Sequence, residues 1–257
     1  AKLLFTAPLT STGSAGALFQ NVAWLERGKA APLPVTWDFY RLRTWNDKGS
    51  AVDIPIKDGV AAVALLGSKE GGPVIVVGHM YGEKGLDAYR PDGKLLWSSA
   101  DTTDVRELSV VRLAGRPALA ALHAISRLAL LGTDGKVKER LLLGGNSGRV
   151  LLDDGKDPRL YAFDSGAGSK RESLSLFTAV KSKEGRRWEN PGPIDLGPIT
   201  ITGRALGRFD AGKPPRLVVG TSNGWVFLLD AAGKPVASRK FLSPVRSLTA
   251  ADLDGDG

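Results

Sequence analysis

Short apolar runs closed by Gly-containing turns succeed one another along the chain, and the turns keep a nearly constant phase. They read Asp92-Gly93-Lys94, Asp134-Gly135-Lys136, Glu184-Gly185-Arg186 and Ala232-Gly233-Lys234, with a looser copy at Asp47-Lys48-Gly49. The glycines at 49, 93, 135, 185 and 233 are separated by steps of 44, 42, 50 and 48 residues. A second marker keeps step with them: Pro73, Pro117, Pro158 and Pro215 each open an apolar run, 18 to 27 residues before the turn Gly. Proline has no N–H to give to a sheet ladder and suits the first residue of a strand. A short unbroken apolar run bounded by turn signals suits a strand buried on both faces.

A repeat in the forties of residues, with several strands per repeat, is the period of a four-stranded propeller blade. The pattern therefore predicts an all-β fold, a β-propeller with five recognisable blades at about 16–57, 58–103, 104–145, 146–195 and 196–244, in a single domain over 1–257. Predicted strands are clearest in the second blade (Val60 to Leu66, Val74 to Gly78, Gly85 to Tyr89, Leu95 to Ser98). The third and fifth blades match it, with outer strands Val137 to Leu142 and Pro235 to Lys240. In the first blade Trp37, Phe39, Tyr40, Leu42 and Trp45 read as strand but lack the Pro spacing. Val245, Leu248, Ala250 and Asp252 start a sixth copy at 245–257, so the ring is expected to continue beyond Gly257.

Composition narrows the class. Thirty-two Gly and fifteen Pro favour many turns, and no apolar run approaches the roughly 20 residues of a membrane-spanning helix. The absence of Cys excludes disulfides and thiolate metal sites without assigning a compartment. The net charge of +8 favours anionic partners, although many lysines (Lys48, Lys94, Lys136, Lys234) sit on turns where solvation and edge protection explain them.

The segment Asp252-Leu253-Asp254-Gly255-Asp256-Gly257 resembles the calcium loop of FG-GAP and VCBS-type propeller repeats. Alternate carboxylates offer hard oxygen ligands to Ca²⁺ while Gly allows the chain to wrap the ion. The resemblance implies Asp252, Asp254 and Asp256 as the first three ligands, and an exported protein acting at a bacterial surface or in the periplasm. The equivalent turns of the third to fifth blades, such as Arg208-Phe209-Asp210-Ala211-Gly212, carry too few acids for a full cage. Asp87 through Trp97, and in part Glu184 through Trp188, is also similar to quinoprotein-like propeller repeats, which implies that Trp97 and Trp188 pack between neighbouring blades.

Candidate chemistry is sparse. His79 and His123 stand six residues after their blade's Pro, and the same register gives Asp164 and Thr221. They are candidates for a face-lining ligand or transition-metal site; the alternative is that strand ends are where polar residues meet water. Lys181, Lys183, Arg186, Arg187 and Trp188 form a candidate anion-binding stretch, against a solvated hairpin whose Trp covers a blade edge. No nucleophile elbow, P-loop, dinucleotide fingerprint or zinc-binding His-Glu pair occurs, and Gly144-Gly145-Asn146-Ser147-Gly148 has no helix signal after it. The expectation is a non-catalytic binding or scaffolding propeller with a Ca²⁺-stabilised loop, acting on a protein or anionic glycan rather than on nucleic acid. The alternatives are a quinoprotein-like or hydrolytic propeller enzyme and a glycan-binding lectin.

Overall fold

The computed structural model describes residues 21–248 apart from 28–29, 46–48, 68–71, 82–83, 114–115, 125, 144–146, 154–158, 165–172, 183–184, 191–192, 195–199, 208–214, 231 and 247. The described residues form five antiparallel sheets in chain order, each with its strands paired in sequence. The first contains β1 (Asn21–Arg27), β2 (Ala30–Trp37), β3 (Arg41–Trp45) and β4 (Ala51–Pro55). The second contains β5 (Val60–Leu66), β6 (Val74–His79), β7 (Leu86–Tyr89) and β8 (Leu95–Ser99). The third contains β9 (Val105–Leu113), β10 (Arg116–His123), β11 (Arg127–Gly132) and β12 (Val137–Leu142). The fourth runs through β13 (Ser147–Asp153), β14 (Arg159–Asp164), β15 (Ser173–Ser182) and β16 (Gly185–Glu189), with β17 (Pro193–Ile194) as a second short piece beside β15. The fifth contains β18 (Ile201–Gly207), β19 (Arg216–Thr221), β20 (Trp225–Leu229) and β21 (Pro235–Lys240). We refer to these sheets as blades one to five.

The burial of each strand follows its place in the sheet. The middle strands are the most enclosed: β6 is buried from Ile75 to His79, β7 throughout and β10 from Ala118 to His123. Outer strands alternate or face solvent throughout, as in β12 and β21. Pro73 and Pro215 precede β6 and β19, and Pro117 lies before the first β10–β11 pair, Ala118 with Gly132, so none of the three breaks a ladder there.

Two compact units divide the chain: Ala1–Val111 with Pro117–Leu141, and Arg112–Arg116 with Leu142–Gly257. In the first unit, Leu25, Val35, Leu42 and Ile54 of blade one pack on Ile75, Val77 and Tyr89 of blade two. The opposite face of blade two presents Val76, Leu86 and Ala88 to Leu119, Ala121, Ala129 and Leu131 of blade three. Alternate residues of β6 and β7 thus face alternate neighbours, as the two-residue period of a strand requires. In the second unit, Tyr161, Phe163, Leu174 and Leu176 of blade four pack on Leu217, Val219 and Leu229 of blade five.

The phased glycines have a physical cause. Gly93, Gly135 and Gly233 occupy positive φ (85°, 76° and 80°) at the third loop position of hairpins closed by Gly93 N to Arg90 O, Gly135 N to Gly132 O and Gly233 N to Asp230 O bonds. This is a tight turn followed by a left-handed residue. Each also lies against the outer strand of the preceding blade: Gly93 on Val52 and Ile54, Gly135 on Trp97, Gly233 on Ile194. Trp97 donates its indole N–H to Thr133 O at 3.1 Å and so packs between blades two and three, as the sequence implied.

Two details differ from the sequence pattern. Phe39 and Tyr40 are not strand: the Asp38 carboxylate accepts the N–H groups of Tyr40 and Arg41, both at 2.8 Å, and turns the chain between β2 and β3. Gly185 opens β16, opposite Ser182, instead of standing inside the turn.

Candidate functional site

The most distinctive surface is built by three connections of blades one and two. The 38–41 turn carries Phe39 and Tyr40, the 56–60 connection joins the two blades, and Tyr81 follows β6. Backbone bonds stitch them together: Ile56 N to Tyr40 O (2.8 Å), Val60 N to Phe39 O (2.7 Å), Met80 N to Gly59 O (3.0 Å) and Tyr81 N to Asp58 O (3.0 Å). Phe39 is the hub of the aromatic group, edge-on to Tyr40 at 4.7 Å between centroids and tilted to Tyr81 at 6.0 Å. Gly59, at φ 72°, lies directly under the Phe39 ring, where a Cβ would come within 2.7 Å of Cζ. Tyr40 and Tyr81 are 62% and 61% exposed, which is unusual for two large aromatics in contact with the same ring.

Beside this rim opens a cavity of about 290 Å³, lined by Asn21, Trp37, Asp38, Phe39 and Val60 to Val63. Its floor includes the start of β5, where the register shifts between Val60 and Ala62 and leaves Ala61 as a bulge. Asp38 does not act there as a free anion: Arg41 holds its second carboxylate oxygen through Nε (3.2 Å) and Nη2 (3.0 Å). The site thus sets aromatic faces and small apolar residues beside a cavity whose lining is more polar than apolar, with its lining carboxylate neutralised internally, and suits a group that offers both apolar surface and hydrogen-bonding atoms. Sequence reasoning missed it because Phe39 and Tyr40 look like strand residues. The signal that would have found it is Asp38, a turn-forming residue between two apolar runs.

The register of polar residues after Pro resolves differently in each blade. His79 is 2% exposed, and its Nε2 lies 3.0 Å from Asp87 Oδ2. Asp87 also accepts from Tyr89 Oη (3.1 Å) and Ser98 Oγ (2.5 Å). Burial acts to raise the Asp87 carboxyl, yet the bonds from His79, Ser98 and Tyr89 outweigh it and hold it down at about 2. Burial and the Asp87 charge push the Tyr89 phenol up, so Tyr89 stays a neutral donor. Nδ1 of His79 is buried without a hydrogen-bond partner among the described residues.

His123 is also buried, and its proton affinity is lowered, first by burial and then by Arg140 and Arg127, against a bond to the Thr103 backbone. Thr221 is fully buried and closes its own turn, donating from Oγ1 to Asn223 Oδ1 (2.6 Å) and accepting from Trp225 N (2.9 Å). Asp164 ends β14, and its side chain lies outside the description. The reading of these strand ends as places where polar residues meet water therefore fails for His79, His123 and Thr221. His79 (through Nε2), His123 and Thr221 each make their bonds within their own blade or the adjoining connection. Among the described residues no three His, Asp or Glu side chains converge as a metal cage.

Asp252, Asp254 and Asp256 lie outside the described residues, as does Lys183. Lys181 and Arg186 are register partners across β15 and β16. Arg187 is exposed and 4.0 Å from Glu189, and Trp188 is half-buried.

No family model and no curated protein sequence matches this chain. Among solved structures it is similar to BBS1N in complex with ARL6DN from a lead-soaked crystal, with a TM-score of 0.66 and 11% identity over 90% of this chain and 72% of that one. A mercury-soaked crystal of the same complex gives a TM-score of 0.49 and 14% identity over 88% of this chain and 83% of that one. The first likeness, with the five blade-type sheets, makes the fold a β-propeller. Among the described residues no helix is long and apolar enough to cross a membrane.

Proposed function

We propose that this chain is a non-catalytic propeller that engages a protein partner through the aromatic rim of blades one and two. The observation that carries the reading is the pair of exposed tyrosines, Tyr40 and Tyr81, both in contact with Phe39, which itself lines the neighbouring cavity. Tyrosine gives large amphipathic contact area with few torsions to fix, which is why it concentrates at binding hot spots. The fold likeness adds support, since BBS1N was crystallised with a protein, ARL6DN. The test compares purified wild type with the Tyr40→Ala/Tyr81→Ala double variant in affinity capture, followed by reconstitution of each captured protein from pure components. A partner that binds wild type and is lost with the double variant bears the reading out. A partner bound equally by both overturns it.

The calcium expectation is carried forward as part of the same proposal: Asp252, Asp254 and Asp256 hold Ca²⁺ and rigidify the loop they form. Calorimetric titration of Ca²⁺ into wild type and Asp254→Asn tests it, and equal heats in the two would remove the site. The resemblance that suggests the loop also suggests export to a bacterial surface or the periplasm, to be checked by fractionation of the native host.

A further inference from the structure

We infer that the connection leaving blade five is a membrane-docking point that seats Phe241 and Leu242 in the headgroup layer of an anionic bilayer; this is independent of the rim on blades one and two. The sequence prepares it. Between Asp230 and Asp252 there is no acidic residue, whereas Arg239, Lys240 and Arg246 bracket the Phe241-Leu242 pair. All five of these residues are exposed, as is the whole of β21 before them.

Exposure alone is common, but here it is held in place. Phe241 N donates to Gly224 O (2.8 Å) and Val245 N to Thr221 O (3.0 Å), so both ends of 241–245 are tied to the turn between β19 and β20. Gly224 stands at φ 87°, and a Cβ on it would come within 2.6 Å of Phe241 O and 2.8 Å of Ser243 O, so the connection lies directly against that turn. Pro244 stiffens the span further. From this support Leu242 projects fully into solvent, with Phe241 half-exposed beside it. Joining blades does not require apolar residues there: in the connection after blade two, Asp101 and Thr103 are exposed and Thr102 is fully buried.

The chemistry favours a bilayer over a shaped protein site. An apolar side chain with no wall around it finds its complement at an acyl boundary, which needs no matching pocket. Arg239 lies over the Phe241 ring at 5.3 Å and Lys240 over the Trp225 ring at 5.5 Å, so the cations flank the apolar pair and meet phosphate and carboxylate headgroups as it enters. The net charge of +8 adds long-range attraction toward the same surface.

The test is co-sedimentation of the purified chain with vesicles of phosphatidylcholine, with and without phosphatidylserine. Wild type should pellet with the mixed vesicles, be released as salt rises, and stay in solution with phosphatidylcholine alone. Arg239→Glu/Arg246→Glu should weaken binding by at least roughly thirtyfold. Phe241→Ser/Leu242→Ser should weaken it by at least roughly tenfold. Because the chain has no cysteine, Leu242→Cys accepts a single polarity-sensitive fluorophore. Its emission should shift to the blue on binding, while the same label on Lys234→Cys, at the other end of β21, should not shift. Absence of pelleting with the mixed vesicles, or pelleting unchanged in either double variant, overturns the inference. A label at 242 that stays in water while the protein is bound overturns the insertion of Leu242. Retention on immobilised polyglutamate or heparin that depends on the same residues, without vesicle binding, assigns the patch to an acidic protein or a glycan and overturns the bilayer. All substituted residues are exposed, and matching thermal melts confirm that the variants are folded.

Discussion

A Cβ placed on Gly135 would lie 2.6 Å from Cε3 of Trp97, while the Trp97 indole donates to Thr133 O in the same turn at 3.1 Å. The hairpin of blade three therefore sits on the outer strand of blade two with no room for a methyl group. Gly135→Ala combines this clash with a left-handed backbone, and is expected to cost about 3 kcal/mol or more. Gly72→Ala separates the two causes, because Gly72 has φ 75° and nothing within 4 Å of its virtual Cβ. It should cost only about 1–2 kcal/mol. Denaturant unfolding of both variants measures the difference, and equal losses would show that the Trp97 contact contributes nothing.

Removing the carboxylate at Asp87 leaves His79, Ser98 and Tyr89 without their common acceptor in a buried place. Asp87→Ala is expected to destabilise by about 3 kcal/mol or more. The effect carries a pH signature. The folded carboxyl lies at about 2, below its ordinary 3.8, so its contribution is complete above about pH 4 and is lost as pH falls toward 2. The gap between wild type and variant should shrink by roughly 2 kcal/mol across that window. A gap that stays constant from pH 5 to 2 would contradict the charged network.

His123 also loses stabilisation as pH falls, but because the fold favours its neutral form, where at Asp87 it favours the charged one. Burial, with Arg140 and Arg127, holds its folded proton affinity below the ordinary 6.5, so the unfolded chain takes up the proton first. Stability is then full above about pH 6.5 and declines as the pH drops below it. His123→Gln should flatten this part of the profile in chemical denaturation between pH 7 and 5. A variant with the wild-type slope would place the titration elsewhere.

Gly59 is expected to couple structure to binding. Gly59→Ala pushes against the Phe39 ring at a positive φ, so it should displace the rim and weaken partner binding as well as stability. Tyr40→Ala and Tyr81→Ala, by contrast, should change unfolding free energy by no more than roughly 0.5 kcal/mol each, because most of both side chains is exposed. A large loss of stability in either tyrosine variant would mean that the rim serves packing.

The blade repeat was legible because its markers answer to local rules. Val60–Leu66, Val137–Leu142 and Pro235–Lys240 are strands at the bounds that the apolar runs and turns predict. Gly93, Gly135 and Gly233 stand where positive φ demands them. The site was less legible because its relationships cross strands. His79 meets Asp87 because Val77 is directly opposite Asp87 and His79 is two residues further on the same face. Ser98 joins them by lying opposite Asp87 on the next strand. Such partners become visible only once register is known. Phe39 and Tyr40 were misread for a local reason instead, since the Asp38 turn overrode their strand propensity.

The glycine hairpins also bear on how such a chain lengthens. Each of the three brings a compact turn to the preceding outer strand, whether that strand presents Val52 and Ile54, Trp97 or Ile194. The fit thus relies on a missing side chain more than on a matched pair of shapes. A gene segment copied in tandem would carry both halves of this joint with it, and could be spliced between existing units without inventing a new seam.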